Sequence, residues 1–199
     1  MRRSPAPHHS PVPVRLFIAI NLPPDLRQRL WEAAQPLRAA GYPVRWVAPE
    51  GVHLTLKFLG EVKPDREPQV VAGIGMAVQG ARRFTLPVGG FGAFPSLSNP
   101  RVVWAGGEPV PALELLQHRV EQEMERLGFP LDGRAFHPHL TLGRAQRDAR
   151  ASAFGDLEDR ISALAFAEEA TVESVDLMES QLARDGARYT RRHAAPLAG

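Results

Sequence analysis

His53-Leu-Thr55-Leu and His139-Leu-Thr141-Leu are one tetrapeptide written twice, 86 positions apart in a chain of 199 residues. On a β-strand, residues two apart point to one face, so each copy presents an imidazole beside a hydroxyl while its leucines turn the other way. Two copies facing each other surround a small anion with two histidines and two threonines. That set suits a phosphate ester. One imidazole deprotonates water and another protonates a departing alkoxide, because a histidine pair near neutral pH can hold one neutral and one cationic member. Each such proton transfer is typically worth about 10²–10⁴ in rate. The threonine hydroxyls donate hydrogen bonds to the non-bridging oxygens as charge gathers there. The scheme needs no metal.

Alternation divides each motif strand into packing and chemistry. Leu54, Leu56 and Phe58 share a core face, and His53, Thr55 and Lys57 share the other. Leu140 and Leu142 point inward, whereas His139, Thr141 and Gly143 point outward. Arg144 has the parity of the leucines, so a regular strand turns it away from the site and only a strand end frees it.

The elements that must position these residues are legible as a coarse order. Arg15 to Leu22 is apolar and β-branched, a central strand. Pro23-Pro24-Asp25 opens a helix to about Ala39 with Leu26, Leu30, Ala33 and Leu37 as its buried stripe. Short and long strands follow at Arg45–Val47 and Val52–Gly60. A second helix begins at Pro64-Asp65 and ends near Gly80. Arg83–Phe94 contains glycines and reads as a bulged strand. Arg101–Ala105 is a strand, Pro109–Leu127 a helix, and residues 129–138 a loop ahead of the strand His139–Arg144. Asp148–Leu164 is a helix weakened by Gly155. Ala170–Leu182 alternates as a single strand, Asp185-Gly186 makes a hairpin turn, and Tyr189 begins the last strand. The order strand, helix, strands, helix, strands occurs twice, with one tetrapeptide in each half. The economical reading is a duplicated α+β unit whose two lobes meet about an approximate two-fold axis.

The bulk composition agrees with one globular unit of this kind. Hydrophobic residues make up 44% of the chain and charged residues 23%, enough for a real core and too few for general disorder. Lysine occurs only at 57 and 63, so 24 basic residues minus 2 leaves 22 arginines. Arginine favours bidentate phosphate contacts. The absence of cysteine excludes disulfides, thiolate metal sites and cysteine nucleophiles. No apolar run reaches membrane-spanning length, and Leu16–Ile20 is too short for a secretory core. The expectation is a soluble, cytoplasmic monomer. Residues 1–13 carry Pro5, Pro7, Pro11 and Pro13 and read as an extended, flexible arm, leaving 14–199 as a single bilobal domain.

Other chemistries find little support. His137 and His139 form a His-x-His pair, but no further ligands at suitable spacing accompany them, so neither metal nor any other cofactor is expected. His118 and His193 read as surface or packing residues. Tyr42, Trp46, Phe91, Phe94 and Trp104 are candidates to stack a nucleobase, with core or rim packing as the alternative for each. Gly89-Gly90-Phe91-Gly92 lacks the Gly-Lys-Ser/Thr ending of a phosphate loop.

With their neighbours, His53-Leu-Thr55-Leu-Lys-Phe-Leu-Gly and Pro138-His139-Leu-Thr141-Leu-Gly-Arg144 resemble the paired signatures of the two-histidine phosphoesterase superfamily. Within it the chain is similar to the bacterial and archaeal RNA 2′,3′-cyclic phosphodiesterases, also called 2′-5′ RNA ligases. Arg15-Leu-Phe-Ile-Ala-Ile, Gly92-Ala-Phe-Pro95, Pro100-Arg-Val-Val-Trp104, Leu177-Met-Glu-Ser180 and Gly186-Ala-Arg-Tyr189 are similar to family landmarks, and the resemblance spans about residues 14–193. It implies a bilobal α+β fold with two antiparallel sheets lining a central cleft and helices packed outside. It also implies opening of a terminal 2′,3′-cyclic phosphate on RNA, or of cyclic nucleotides, to a 2′-phosphomonoester. Carried over, His53 is the proton donor to the departing 3′ oxygen, His139 the proton acceptor from water, and Thr55 and Thr141 hold the phosphate. The motif itself is symmetric and does not order the two histidines. The resemblance also brings Arg144 to the phosphate. The reverse joining of a cyclic end to a 5′-hydroxyl, and an RNA- or nucleotide-binding module without turnover, are the alternatives.

Overall fold

Val14–Asn21 is apolar on both faces because each meets cover: in this first strand, β1, Leu16, Ile18 and Ile20 enter the main core, while Phe17 and Ala19 pack with Met178 and Tyr189 on the other side. The computed structural model describes residues 12–183 and 186–199. The proline-rich arm up to residue 11, and Asp185 of the expected Asp185-Gly186 turn, lie outside them. After β1 come α1 (Pro24–Ala33), α2 (Gln35–Ala39), β2 (Val44–Trp46), β3 (His53–Val62), α3 (Glu67–Val78), β4 (Phe84–Phe94), β5 (Val102–Gly107), α4 (Pro111–Arg126), β6 (His139–Ala145), α5 (Leu157–Ser162), β7 (Ala167–Val172), β8 (Ser174–Ala183) and β9 (Gly186–Pro196). The helix expected from Pro23 to Ala39 breaks at Ala34 (ψ near 2°). Pro36 lacks an N–H and its ring crowds the carbonyl four residues back. Gly155 likewise interrupts the expected helix 148–164, leaving a 3-10 turn at Ala151–Phe154 and the short α5.

The strands form one antiparallel sheet in the order β7-β4-β5-β6-β3-β1-β8-β9, with β2 beside β6. It divides into two corresponding halves. Reading outward from the motif strand, one runs β3-β1-β8-β9 and the other β6-β5-β4-β7. The duplicated unit and its two antiparallel sheets are therefore present, fused where the motif strands meet. That seam is a single paired position, Leu54 opposite Leu140. One expected strand proves to be two. Ala170–Leu182 splits at Glu173 into β7, which pairs with β4 in one half, and β8, which pairs with β1 and β9 in the other. Ala170 and Val172 share one parity and Val175 and Leu177 the other, so the alternation changes phase at the split.

All five helices among the described residues pack on one face of the sheet. Leu26 and Leu30 of α1, Val70 and Ile74 of α3, and Leu113, Leu116, Val120 and Met124 of α4 join Leu54, Leu56, Leu140 and Leu142 in the main core. Leu37 of α2 and Leu157 and Ile161 of α5 close a second cluster against Val44 and Val103. The opposite face is left open for the motif side chains.

A β-bulge in each motif strand corrects the simple alternation. Ala19 faces Thr55 but Ile18 faces Lys57, so Leu56 is the extra residue. Trp104 faces Thr141 but Val103 faces Gly143, so Leu142 is the extra residue of β6. A bulge places two consecutive residues on one side and reverses parity beyond them. Lys57 and Gly143 therefore lie on the core side rather than with the histidines, while Phe58 and Arg144 turn to the open face. Lys57, only 2% exposed, donates to Glu121 Oε2 on α4 at 2.6 Å and to the Pro130 carbonyl at 2.8 Å. The same Glu121 oxygen accepts the Asp132 N–H at 3.3 Å. This buried ion pair ties β3 to the loop that leads into β6.

Candidate active site

The seam pair fixes where the chemistry falls. Leu54 and Leu140 are fully buried beneath the sheet, so the residues flanking each, His53, Thr55, His139 and Thr141, stand on the open face, all half-buried. An antiparallel register centred on that pair sets His53 across from Thr141 and Thr55 across from His139. Directly opposed side chains in such a pair are about 4.5–5.5 Å apart at Cβ and diagonal ones within about 7–8 Å. The two imidazoles thus occupy one diagonal of a small square and the two hydroxyls the other.

Each histidine is held the same way. His53 Nδ1 donates to the Gly51 carbonyl at 2.8 Å, and His139 Nδ1 donates to the His137 carbonyl at 2.8 Å. A carbonyl only accepts, so Nδ1 carries the proton and Nε2 is the nitrogen left for chemistry. An aromatic edge packs against each ring: Tyr189 meets His53 at 4.9 Å between centroids, and Phe94 meets His139 at 5.0 Å, both T-shaped. Phe17 lies against His53 and Tyr189 as well, at 4.8 and 5.5 Å. Behind His53, Arg27 of α1 donates to the Glu50 carbonyl at 2.9 Å and steadies the turn that presents Gly51. Asn21, opposite His53 in the β1–β3 register, donates to the fully buried Asp176 at 2.6 Å.

Burial pushes the His53 imidazole down to about 4; the Gly51 carbonyl opposes this, and the charges of Arg144, Arg27 and His139 add to it. Burial also holds His139 below the ordinary histidine value, opposed by the His137 carbonyl and reinforced by Arg144 and His137. Both rings are therefore neutral at pH 7 in the free protein, with Nε2 unprotonated. An anion entering between them reverses the balance, because a nearby negative charge favours the protonated ring.

Arg144 reaches this face through the bulge at Leu142, not through a strand end. It is exposed, and its guanidinium acts on both histidines. Of the aromatic candidates, Phe94 meets His139, and Trp104, opposite Thr141 in the register, packs on Phe94 with ring centroids 5.1 Å apart. Trp104 lies directly over Gly92, whose missing Cβ makes the room. Tyr42, Trp46 and Phe91 belong to the cores; Tyr42 stacks on Phe154 and donates to Asp156 at 2.7 Å. His118 is exposed on α4 and His193 lies on β9, both away from the pair. The described residues contain no group of three or more His, Cys, Asp or Glu side chains able to hold a metal. Phe17 and Tyr189 are the site residues that sequence reasoning left without a role.

The model of the 2′-5′ RNA ligase superfamily matches residues 23–184. The chain belongs to that superfamily. It is 31% identical over 182 residues to the RNA 2′,3′-cyclic phosphodiesterase of Methanothermobacter thermautotrophicus, covering 89% of this chain and 95% of that protein. With the Escherichia coli K12 protein of the same name it shares 36% identity over 140 residues, 69% of this chain and 75% of that one. Among solved structures, a Thermus thermophilus protein superposes with a TM-score of 0.80 at 30% identity, covering 93% of this chain and 98% of its own. Escherichia coli LigT complexed with 3′-AMP superposes with a TM-score of 0.73 at 31% identity, covering 94% and 99%. Both superpositions extend over nearly the whole chain.

Proposed function

We propose that this chain hydrolyses the 2′,3′-cyclic phosphate at the end of an RNA to a 2′-phosphomonoester, with the two motif histidines as its acid–base pair and no metal. The observation that carries the reading is the matched pair of imidazoles, each with Nδ1 committed to a backbone carbonyl and Nε2 left free, on either side of one seam. The relatives' names supply the substrate class. His139 Nε2 takes a proton from water as its oxygen bonds to phosphorus. The bond from phosphorus to the 3′ oxygen breaks, and His53, protonated at Nε2 under the field of the bound phosphate, gives its proton to that oxygen. Thr55 and Thr141 donate to the non-bridging oxygens, and Arg144 neutralises charge on the phosphate. Exchange with solvent then returns the proton to His53 and removes it from His139. With a 5′-hydroxyl in place of water the same groups serve the reverse joining, but water in excess favours hydrolysis.

A cytoplasmic monomer is part of this reading; no helix among the described residues is long and apolar enough to cross a membrane. The test is incubation with adenosine 2′,3′-cyclic phosphate in EDTA, followed by identification of the phosphomonoester isomer. The expected product is the 2′ isomer, and His53→Ala and His139→Ala each lose about 10²–10⁴ in kcat. Turnover abolished by the chelator, or either variant working at the wild-type rate, overturns the proposal.

A further inference from the structure

β6 carries two strands on one edge: β3 meets it at Leu140, and β2 meets it further along at Gly143, Arg144 and Ala145. The seam therefore continues past the histidines, and on β2 the residue directly opposite Arg144 is Arg45. Directly opposed residues of an antiparallel pair project to the same face. Val44 and Trp46, on either side of Arg45, pack into the cores, which turns Arg45 to the open face with Arg144. Both arginines are exposed. Among the described residues no carboxylate is paired with either guanidinium, whereas Arg29, Arg160 and Arg192 each have an acidic partner. Like charges directly opposed across a strand pair are destabilising. Two guanidinium groups set side by side without a counter-charge constitute a place for an anion from outside.

The scissile phosphate does not account for both. Arg45 lies on β2, which pairs with β6 only at Gly143, Arg144 and Ala145, past the Leu140 position where β3 meets it, so Arg45 stands beyond the reacting centre. Thr141 and Arg144 are three residues apart, roughly 10 Å along a strand. Arg144 spans that gap toward the histidines, and Arg45 extends the basic surface away from them. A cyclic phosphate at the end of an RNA has one covalent neighbour, the phosphodiester joining the terminal nucleotide to the one before it.

We propose that Arg45, paired across the strand with Arg144, binds that preceding phosphodiester, so that the site prefers a polynucleotide end to a free cyclic mononucleotide. The inference rests on the hydrolytic reading above and adds a second phosphate subsite to it. It assigns Arg45 to substrate selection, not to the acid–base steps.

The experiment compares kcat/KM for adenosine 2′,3′-cyclic phosphate with that for the adenosine dinucleotide ending in a 2′,3′-cyclic phosphate, in wild type, Arg45→Ala and Arg45→Lys. Wild type is expected to favour the dinucleotide. Arg45→Ala lowers that preference ratio by about tenfold, Arg45→Lys restores part of it, and the salt slope for the dinucleotide falls by about 0.7 in Arg45→Ala, one phosphate contact on a single strand. An equal loss on both substrates, or no change in the ratio, overturns the subsite. Failure of wild type to open either substrate refutes the hydrolytic reading instead. The subsite is then read by titration calorimetry with adenosine 2′-phosphate and the dinucleotide ending in a 2′-phosphate. Tighter dinucleotide binding that Arg45→Ala removes sustains it, and equal binding of the two by wild type overturns it.

Discussion

Leu54 faces Leu140 across the seam, and among the described residues it is the single backbone-bridged position between β3 and β6. Each leucine sits between the histidine and threonine of its own motif, so one contact under the sheet sets the spacing of four groups above it. Both are fully buried in the main core. Leu54→Ala or Leu140→Ala should each cost about 2–5 kcal/mol of stability by loss of burial and residual cavity. The double variant should cost less than the two summed, because neighbours share the same void. Urea unfolding measures this, and kcat/KM under fully folding conditions should drop as well. Strict additivity would show that the two halves are not coupled through this pair.

The depressed histidines set the pH dependence. Catalysis needs one proton on the pair. Above both pKa values neither ring is charged, the leaving oxygen has no donor, and kcat/KM falls tenfold per unit. His53 is driven to about 4 and His139 below its ordinary value, so the descending limb for the free enzyme begins below about 6.5. Replacing Arg144 by glutamine removes a cation that disfavours the charged ring, so both values rise and the limb moves to higher pH even as the rate falls. A limb that moves down, or stays fixed, contradicts the electrostatic role given to Arg144.

Lys57 supplies a separate test of how β6 is aimed. With Lys57→Met, Glu121 is left as a buried carboxylate without its cation, and breaking such a pair typically costs about 3–5 kcal/mol. Adding Glu121→Leu removes the stranded charge and should recover most of that loss, since an apolar pair of similar volume is well tolerated there. Thermal or urea denaturation of the two variants decides it. A double variant less stable than Lys57→Met would mean that the ion pair itself, not the avoidance of an unpaired charge, holds the loop ahead of His139.

The four motif side chains, the buried Leu26, Leu30 and Leu37 of the first helical segment and the duplicated order were legible in the sequence because each depends on local spacing; Ala34 takes the buried place expected of Ala33, after the break that Pro36 imposes. What was not legible depends on a partner strand. The bulges at Leu56 and Leu142 arise from the registers of β1 and β5 against the motif strands, and nothing in His-Leu-Thr-Leu announces them. Strict alternation consequently misplaced Lys57, Phe58, Gly143 and Arg144. Phe17 escaped notice for a related reason. β1 is apolar on both faces, so a side chain that meets His53 reads the same as one that meets Leu54. Gly143 was the available signal, since a glycine inside a strand marks a bulge or a close approach of another chain segment.

That glycine yields the last prediction. A Cβ at position 143 would stand 2.5 Å from Val44 Cγ1 and 2.9 Å from Trp46 Cε3. Val44 is buried and Trp46 packs against both cores, so neither side chain has space to withdraw and β2 itself must move. Gly143→Ala should therefore lower stability by about 1–3 kcal/mol, the usual range for overpacking. Moving β2 also breaks the alignment of Arg45 with Arg144. The preference for the dinucleotide cyclic phosphate should fall with it, while the acid–base pair, anchored at the Leu54–Leu140 seam, keeps its pH profile. Gly133→Ala, where a Cβ meets nothing within 4 Å, is the matched control. If Gly143→Ala is as stable as that control and keeps the substrate preference, the close approach of β2 to the bulge is not what places Arg45.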